Sequence, residues 1–390
     1  MKKGWVETTL GAIGNVAMCK RIFKEETTAT GDIPFYKIGT FGRKPDAYIS
    51  SHTYSEYRAK YPFPKRGDVL ISASGTIGRR VRYDGEPAYF QDSNIVWIDN
   101  DEKKVLNDYL YHFYGACEWN STKGATISRL YNEDLRRIVI AFPESHQEQQ
   151  RIVGVLDEAF DGLARATTNA EQNLRNARAL FESHLQSVFT RRSDEVQLSD
   201  LASEITDGDH SPPPKASTGV PFITISDIVK RTRDVDFSNT FMVPVEYFQK
   251  LKPNKKPRVG DILYTVTGAT LGIPVLVKEQ RDFCFQRHIG LVRPKPDTDS
   301  AWLTYAMLSP QVFNQATIGS TGAAQKTVSL SVLRGLKVPK LALSKQKHIA
   351  AQLDSIATET QRLESIYRQK LAALGELKQS LLHQAFSGKL

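Results

Sequence analysis

Two hydrophobic rhythms run along this chain, and each occurs twice. Short apolar runs bounded by Gly and Pro, among them Val69 to Ser72, Ile95 to Ile98, Phe222 to Ile225 and Ile262 to Val266, have the length and composition of strands. From about Gln147 to Thr190, and again from about Lys345 to Phe386, there is no proline and the composition turns to Ala, Leu, Glu, Gln, Lys and Arg. That predicts a long helix in each place. In the first, Leu156, Phe160, Leu163, Ala170, Leu174, Ala177, Phe181 and Val188 follow steps of four and three, with one polar turn at Thr167-Thr168-Asn169. In the second, Leu353, Ile356, Thr360, Leu363, Tyr367, Leu374, Leu377 and Leu381 do the same. An apolar seam of this spacing wants a partner helix. A single such stripe is also the face of a helix packed on its own domain.

The rhythms recur because the chain is duplicated. Ile33-Pro34-Phe35-Tyr36-Lys37-Ile38 returns as Val220-Pro221-Phe222-Ile223-Thr224-Ile225, and Arg66-Gly67-Asp68-Val69-Leu70 as Val259-Gly260-Asp261-Ile262-Leu263. Gly75 follows Gly67 by eight residues, as Gly268 follows Gly260, and Gln91 to Val96 and Gln286 to Leu291 take similar places. Gln149-Gln150-Arg151-Ile152 with Leu156-Asp157 matches Gln346-Lys347-His348-Ile349 with Leu353-Asp354, and Phe189 and Phe386 close the halves. Correspondences in one order, with offsets drifting only through small insertions, mean an internal repeat. The expected architecture is α+β: two similar β-rich domains at 1–145 and 193–343, each followed by a helical region, at 146–192 and 344–390. The two helices should pair antiparallel as a coiled coil about an approximate twofold axis. A helix of about 40 residues spans about 60 Å, so the globules should sit apart on a stiff ruler.

Composition adds a partner. The chain has 390 residues, enough for two or more domains. Its 52 Lys and Arg exceed its 43 Asp and Glu, for a formal charge of +9, which favours a polyanion. Cys19, Cys117 and Cys284 are scattered without a CxxC pair. This argues against a disulfide framework and a zinc knuckle and fits a reducing cytoplasm. The N-terminal residues lack the apolar core of a signal peptide, and no apolar run approaches membrane-spanning length. A cytoplasmic protein without membrane contact or bound metal is expected.

Two basic globules at fixed separation suit two DNA sites one or two helical turns apart, at about 34 Å per turn. At this point the chain resembles, over its whole length, the specificity subunit of type I restriction-modification systems. The resemblance rests on Trp5 and Leu10-Gly11, the paired Gly-Asp motifs, the Gln149 and Gln346 helix starts, Asp207-Gly208-Asp209-His210, and the closing Ala385-Phe386-Ser387-Gly388-Lys389-Leu390. It implies that each globule is a target recognition domain reading one half of a bipartite sequence in double-stranded DNA. It also implies that the helices fix the spacer and dock two methyltransferase subunits, which restriction-translocase subunits join to cut unmodified DNA. No cofactor is then expected in this chain, S-adenosylmethionine, ATP and Mg belonging to the other subunits. One departure is visible: Glu148-Gln149 begins the first helix but Lys345-Gln346 the second, leaving open whether both starts dock alike. Two rival readings are a stand-alone DNA methyltransferase or nuclease, and a coiled-coil adaptor that reads no sequence. Against the first, the Pro-Pro of Ser211-Pro212-Pro213-Pro214 lacks the aromatic that would hold a flipped base. Ser387-Gly388-Lys389 also lacks the upstream glycine spacing of a P-loop. No catalytic residue is assigned.

Candidate DNA contacts in the first half are the clusters Lys20-Arg21, Arg43-Lys44 and Arg79-Arg80 with Arg82, since cations on loops meet phosphates and arginine reads guanine edges. The small-residue turn with Ser74 and Thr76, repeated with Thr267 and Thr270, offers hydroxyls and amides to a phosphate, although a purely structural turn has the same appearance. In the second half Asp207, Asp209 and His210 precede Lys215, and a carboxylate can accept from cytosine; Asp-Gly is also an ordinary turn. Gln286, Arg287 and His288 stand where Gln91, Asp92 and Ser93 stand in the first half, so the two halves should read different words. Gln325-Lys326 and Thr126 to Ser128 form a weaker pair just before each helix. The seam residues expected to face a partner are Leu156, Phe160, Leu163, Leu174 and Phe181, with Leu353, Ile356, Leu363, Leu374 and Leu381.

Overall fold

The computed structural model describes residues 3–117, 119, 122–123, 128–190, 194–322 and 326–390, with the side chains of 122, 123 and 128 left aside. The chain forms two compact units, Met1–Glu171 with Gln369–Leu390, and Gln172–Arg368. Each unit therefore combines one globule with half of each long helix.

The first unit is built on an antiparallel four-stranded sheet, in the order Gly14–Ala17, Ile95–Asn100, Val69–Ser72, Arg80–Arg82. Beside it lies a three-stranded sheet with Ile33–Tyr36 in the middle, antiparallel to Tyr48–Ile49 and parallel to Tyr89–Phe90. The strand Trp5–Thr9 pairs with Val139–Pro143 and so closes the globule just before the long helix. The second unit repeats this strand for strand. Ala202–Asp207, Ile289–Pro294, Ile262–Thr265 and Pro274–Leu276 form its four-stranded sheet. Val220–Ile223 lies between Phe241–Val243 and the parallel Cys284–Phe285, and Glu195–Gln197 pairs with Lys337–Pro339. The duplication legible in the residues thus extends to strand order and direction.

The repeated Gly-Asp motif is the turn that feeds the central strand. Gly67 and Gly260 have φ of +95° and +90°, a region open to glycine at little cost. The carboxylates that follow close the turn, Asp68 accepting from the Lys65 amide and Asp261 from the Arg258 amide, each at 2.8 Å. The strands they introduce, Val69–Ser72 and Ile262–Thr265, are buried along their whole length. That explains why they read as continuous apolar runs rather than alternating ones. Around the motif the halves differ. Asp261 is gripped by Arg293 through bonds of 2.9 and 2.7 Å. Among the described residues Asp68 has only the Asn107 amide at 3.3 Å as a further side-chain partner, and burial, opposed by its hydrogen bonds, raises its carboxyl above the usual range.

The long helices are His146–Thr190 and Leu343–Phe386. The start of the first and the end of the second share one unit, and the end of the first and the start of the second share the other, so they run antiparallel within each. Their seams do two jobs. Ile152, Val153 and Leu156, with Ala385 from the second helix, complete the core around Tyr109, Phe113, Ile140 and Phe142. Phe181, Leu185 and Phe189, with Ala350 and Leu353, complete the core around Trp302, Leu333 and Val338. Both readings of the stripe therefore hold, each on part of the helix. Phe160, Leu163, Leu174, Ile356, Leu363, Leu374 and Leu381 remain half-buried. One stripe residue is corrected: Leu377 is 48% exposed, while Leu382 and Ala385 are buried. A straight helix drifts by about 20° per heptad against a seven-residue repeat, and near the end of the second helix the buried face has rotated past the expected positions. Lys378, exposed beside it, holds its ammonium 5.2 Å from the Phe160 ring centre.

Despite the different residues before them, both helix starts dock in the same way. Gln149 is 0% exposed and Gln346 is 2% exposed. Gln149 accepts from the Leu106 amide at 2.9 Å and donates to the carbonyls of Lys104 and Pro143 at 2.8 Å. Gln346 accepts from the Asp299 amide and donates to the Leu341 carbonyl, both at 2.8 Å. In each unit one amide side chain ties the helix start to the loop before the helix of the globule. Replacing either glutamine by leucine leaves buried or half-buried backbone groups unpaired. We expect Gln149→Leu and Gln346→Leu each to destabilise its unit by about 2–4 kcal/mol, read from denaturant titration; an unshifted midpoint would refute this role.

Candidate nucleic-acid interface

The glycine turns that end the central strands are closed from within. The Ser72 hydroxyl donates to the Thr76 carbonyl at 2.6 Å and accepts from the Arg79 amide at 2.8 Å. The Thr265 hydroxyl donates to the Thr270 carbonyl and accepts from the Ile273 amide at 3.0 Å. Gly75 and Gly268, with φ of +66° and +79°, let the chain reverse.

Segments far apart in sequence converge on these turns. The Ser74 hydroxyl donates to Asn94 Oδ1 at 2.8 Å, and the Leu130 amide donates to the Ala73 carbonyl at 2.8 Å. Arg21 Nε meets Asp92 Oδ2 at 2.9 Å. The second unit assembles the equivalent pieces: the Val266 amide donates to the His288 carbonyl at 3.0 Å and the Val328 amide to the Val266 carbonyl at 2.8 Å. There the Asp209 amide donates to the Phe285 carbonyl at 3.0 Å and the Arg287 amide to the Asp209 carbonyl at 3.1 Å. Four candidate segments, unconnected in sequence, make one edge of each globule.

Within that edge the side chains divide into those that build it and those left facing solvent. Ser74 and Thr267 are corrected to builders: both are buried, the first bonded to Asn94 and the second to the Lys326 carbonyl at 3.2 Å. Their hydroxyls are occupied within the domain. Thr270 keeps a buried hydroxyl oxygen without a hydrogen-bond partner, whereas Thr76 is exposed. Gln91 is half-buried and accepts from the Ile38 amide at 2.8 Å. Arg79 donates to the Phe41 carbonyl at 3.0 Å, holding the loop that carries Arg43 and Lys44.

Arg80 and Arg82 are half-buried and make contacts within the domain. Both lie over the Tyr111 ring, 4.6 and 4.0 Å from its centre, and Arg82 pairs with Asp108 at 2.9 Å and approaches Asp157 at 3.9 Å. Burial lowers the Arg80 pKa. The two share a strand face because side chains alternate; the intervening Val81 packs against the other core.

The Asp207-Gly208-Asp209-His210 run is a folded knot. Asp207 meets Lys255 Nζ at 2.9 Å and His210 Nε2 at 2.7 Å, and Asp209 accepts from the Tyr247 hydroxyl. Burial acts to raise both carboxyls, but these hydrogen bonds, with backbone amides at Asp209, outweigh it and hold them below the usual range. Gly208 is required, since a Cβ there would lie 2.0 Å from the Phe285 carbonyl oxygen. Both carboxylates are therefore engaged within the domain. The side chain of His210 is 64% exposed.

What remains at the surface is cationic and polar: Lys20, Arg21, Arg43 and Lys44 in the first unit, and Lys215, Arg287 and Lys326 with His210 in the second, with Gln286 and His288 half-buried. Arg129 and Tyr131 belong with these although they were not singled out. Arg129 bridges to Ser74 in the backbone and lies 5.9 Å from the ring of Tyr131, itself 55% exposed. Lys255 and Tyr247 were missed as well, since nothing local marks them as partners of aspartates about 40 residues away. Thr126 and Gln325 lie outside the described residues, and only the backbone of Ser128 is described, pairing with Lys123. Among the described residues no group of His, Cys, Asp and Glu is placed to hold a metal ion, and no helix is long and apolar enough to cross a membrane.

The family model for the type I restriction modification DNA specificity domain matches residues 2–174 and again 193–371. The chain belongs to this family. Both copies span a globule and run on into a long helix, so the family's repeat is the one seen in the strand topology. A putative type I restriction enzyme specificity subunit of Haemophilus influenzae, S.HindORF215P, is 60% identical over 159 residues, which cover 41% of this chain and 41% of that one. The EcoBI specificity subunit of Escherichia coli is 26% identical over 380 residues, 88% of this chain and 78% of the other. Among solved structures, the HsdS subunit of Thermoanaerobacter tengcongensis aligns over 100% of this chain and 98% of its own with a TM-score of 0.61 at 19% identity. A chain from a study of complex assembly and conformational transition of the type I R-M system aligns over 100% and 99% with a TM-score of 0.77 at 18% identity. At such identities these two establish the shared fold.

The division between builders and exposed cations is testable. Arg21→Ala and Lys44→Ala should weaken DNA binding across sequences and reduce the slope of log K against log salt by about 1 each. Arg82→Ala should instead lower the thermal stability of the first unit. Salt titrations that show the full loss in slope for Arg82→Ala and none for the other two would reverse the assignment.

Proposed function

We propose that this chain is the non-catalytic specificity subunit of a type I restriction-modification complex acting in the cytoplasm. Each globule reads one half of a bipartite sequence in double-stranded DNA. The long helices set the spacer and dock two methyltransferase subunits, to which restriction subunits are added. S-adenosylmethionine, ATP and Mg serve those other subunits. The observation that carries this reading is the pair of equivalent edges bearing unequal side chains. Gln91-Asp92-Ser93 in one globule stands where Gln286-Arg287-His288 stands in the other, on strands of the same order. A duplicated scaffold with divergent edges is what two different half-sites require, because phosphate contacts position a reader while the side chains at base edges specify it.

The stand-alone enzyme reading finds no support in the Pro-Pro segment, which has no aromatic beside it. An adaptor without DNA binding would leave two basic edges unexplained. The test is a methylome of the host with and without the gene. A split adenine-methylated motif should vanish on deletion. Unchanged methylation in a strain that expresses the complex, or methyl transfer from labelled S-adenosylmethionine by this chain alone, would overturn the proposal.

A further inference from the structure

The globules grip the long helices through side chains at equivalent places, and the chemistry of the grip differs between them. In the first unit His112, on the helix Asn107–Ala116, is buried with Nε2 2.8 Å from Asp157 Oδ1 of the first long helix. In the second, Tyr305, on the helix Ser300–Leu308, donates its hydroxyl to Asp354 Oδ1 of the second long helix at 2.6 Å. Asp157 and Asp354 are the aspartates of the repeated Leu-Asp pair. One duplicated position on the helices therefore meets an imidazole in one unit and a phenol in the other. An arginine attends each: Arg82 lies 3.9 Å from Asp157, and Arg233 lines the same cleft as Tyr305 and Asp354.

We propose that these contacts lock the angle at which each reading globule sits on its helices, and that only the lock at His112 opens on protonation. His112 and Tyr305 are then positioning residues for the two half-sites. The inference rests on the reading given under Proposed function. A base-reading edge discriminates only when the shell behind it is held to a fraction of an ångström, and the lock lies between the edge-bearing globule and the helices that carry it.

The surroundings of His112 decide which protonation state the lock accepts. Asp157 and Phe160 face it from the long helix, with Lys378 beyond Phe160. Arg80 and Arg82 act on it from their strand, and Tyr111 adjoins it on its own helix, where Asp108 engages Arg82. Among the described residues its buried Nδ1 has no hydrogen-bond partner. The neutral ring donates from Nε2 to Asp157 and leaves only a lone pair at Nδ1. An imidazolium would bury a second donor with no acceptor, beside two guanidinium groups. Burial accordingly holds His112 below the ordinary histidine value, with Asp157 pulling the other way. The folded chain then resists a proton that the unfolded chain accepts. The contribution of this lock is present above the ordinary value of about 6.5 and falls away as pH drops through it toward the folded value. Tyr305 is pushed upward by burial and by its bond to Asp354, so its lock keeps one protonation state through neutral pH.

The full chain assembled with its methyltransferase partner can be tested on duplexes carrying the host's split motif intact, with either half mutated, or with the spacer lengthened by one base pair. Between about pH 7.5 and 5.5 the wild type should lose roughly tenfold in discrimination at one half-site and keep it at the other. His112→Phe should relax that same half-site and the spacer preference at both pH values. His112→Gln, an amide donor that does not titrate, should make discrimination independent of pH. Tyr305→Phe should relax the opposite half-site equally at both pH values. A wild type that discriminates both halves, with variants that match it, overturns the lock alone, even where thermal unfolding shows a loss of stability. A wild type that ignores both halves removes the reading under Proposed function and this inference with it.

Discussion

Everything in this molecule depends on each globule being finished by helices that begin or end elsewhere in the chain. The core around Tyr109 and Phe113 contains Ile152 and Leu156 from one long helix and Ala385 from the other, and Phe386 lies edge-on to both of those rings at 5.2 and 5.6 Å. The second core is completed in the same crossed manner. Because protein interiors are close-packed, a helix that supplies core atoms cannot rotate or slide without opening voids. The buried glutamines strengthen this by pairing helix starts with backbone groups that would otherwise be unsatisfied. Within each unit the long helices are thus part of the globule's core rather than a separate rod.

That packing shapes how charge is spent. A net charge of +9 suggests a uniformly cationic reader, yet several of the most conspicuous cations are engaged within their own domain. Arg80 and Arg82 lie over Tyr111, Arg293 clamps Asp261, and Lys255 holds Asp207. Arg293 and Lys255 satisfy carboxylates that are buried or half-buried and whose isolation would cost more than a surface cation contributes. The candidate edge is left with fewer cations, carried on loops braced from behind. The same logic separates Ser74 and Thr267, bonded inward, from the exposed Thr76.

The repeat, the long helices and the β-rich character of the globules were legible because each rests on a local or periodic signal: turn glycines, proline-free stretches, apolar spacing. The Gly-Asp motif was visible as a pair, but its job was not, since the turn it closes depends on an amide three residues back and a strand partner beyond it. The candidate edge was legible only as separate segments. Nothing in Gln91, Arg129 or Ser74 announces that they adjoin, and the knot of Asp207 with Lys255 spans 48 residues.

By itself, then, the sequence determined the duplication, the two kinds of element and the family to which the chain belongs, because these follow from composition and order along a line. Which cations face outward, which hydroxyls are occupied and which helix residues enter a globule's core were decided by the tertiary structure alone. The physical reason is that burial and pairing are settled by neighbours in space. A strand face shared by Arg80 and Arg82 becomes half-buried once Tyr111 covers it, and the repeated aspartates of the long helices acquire different partners because His112 and Tyr305 arrive from different copies of the same fold.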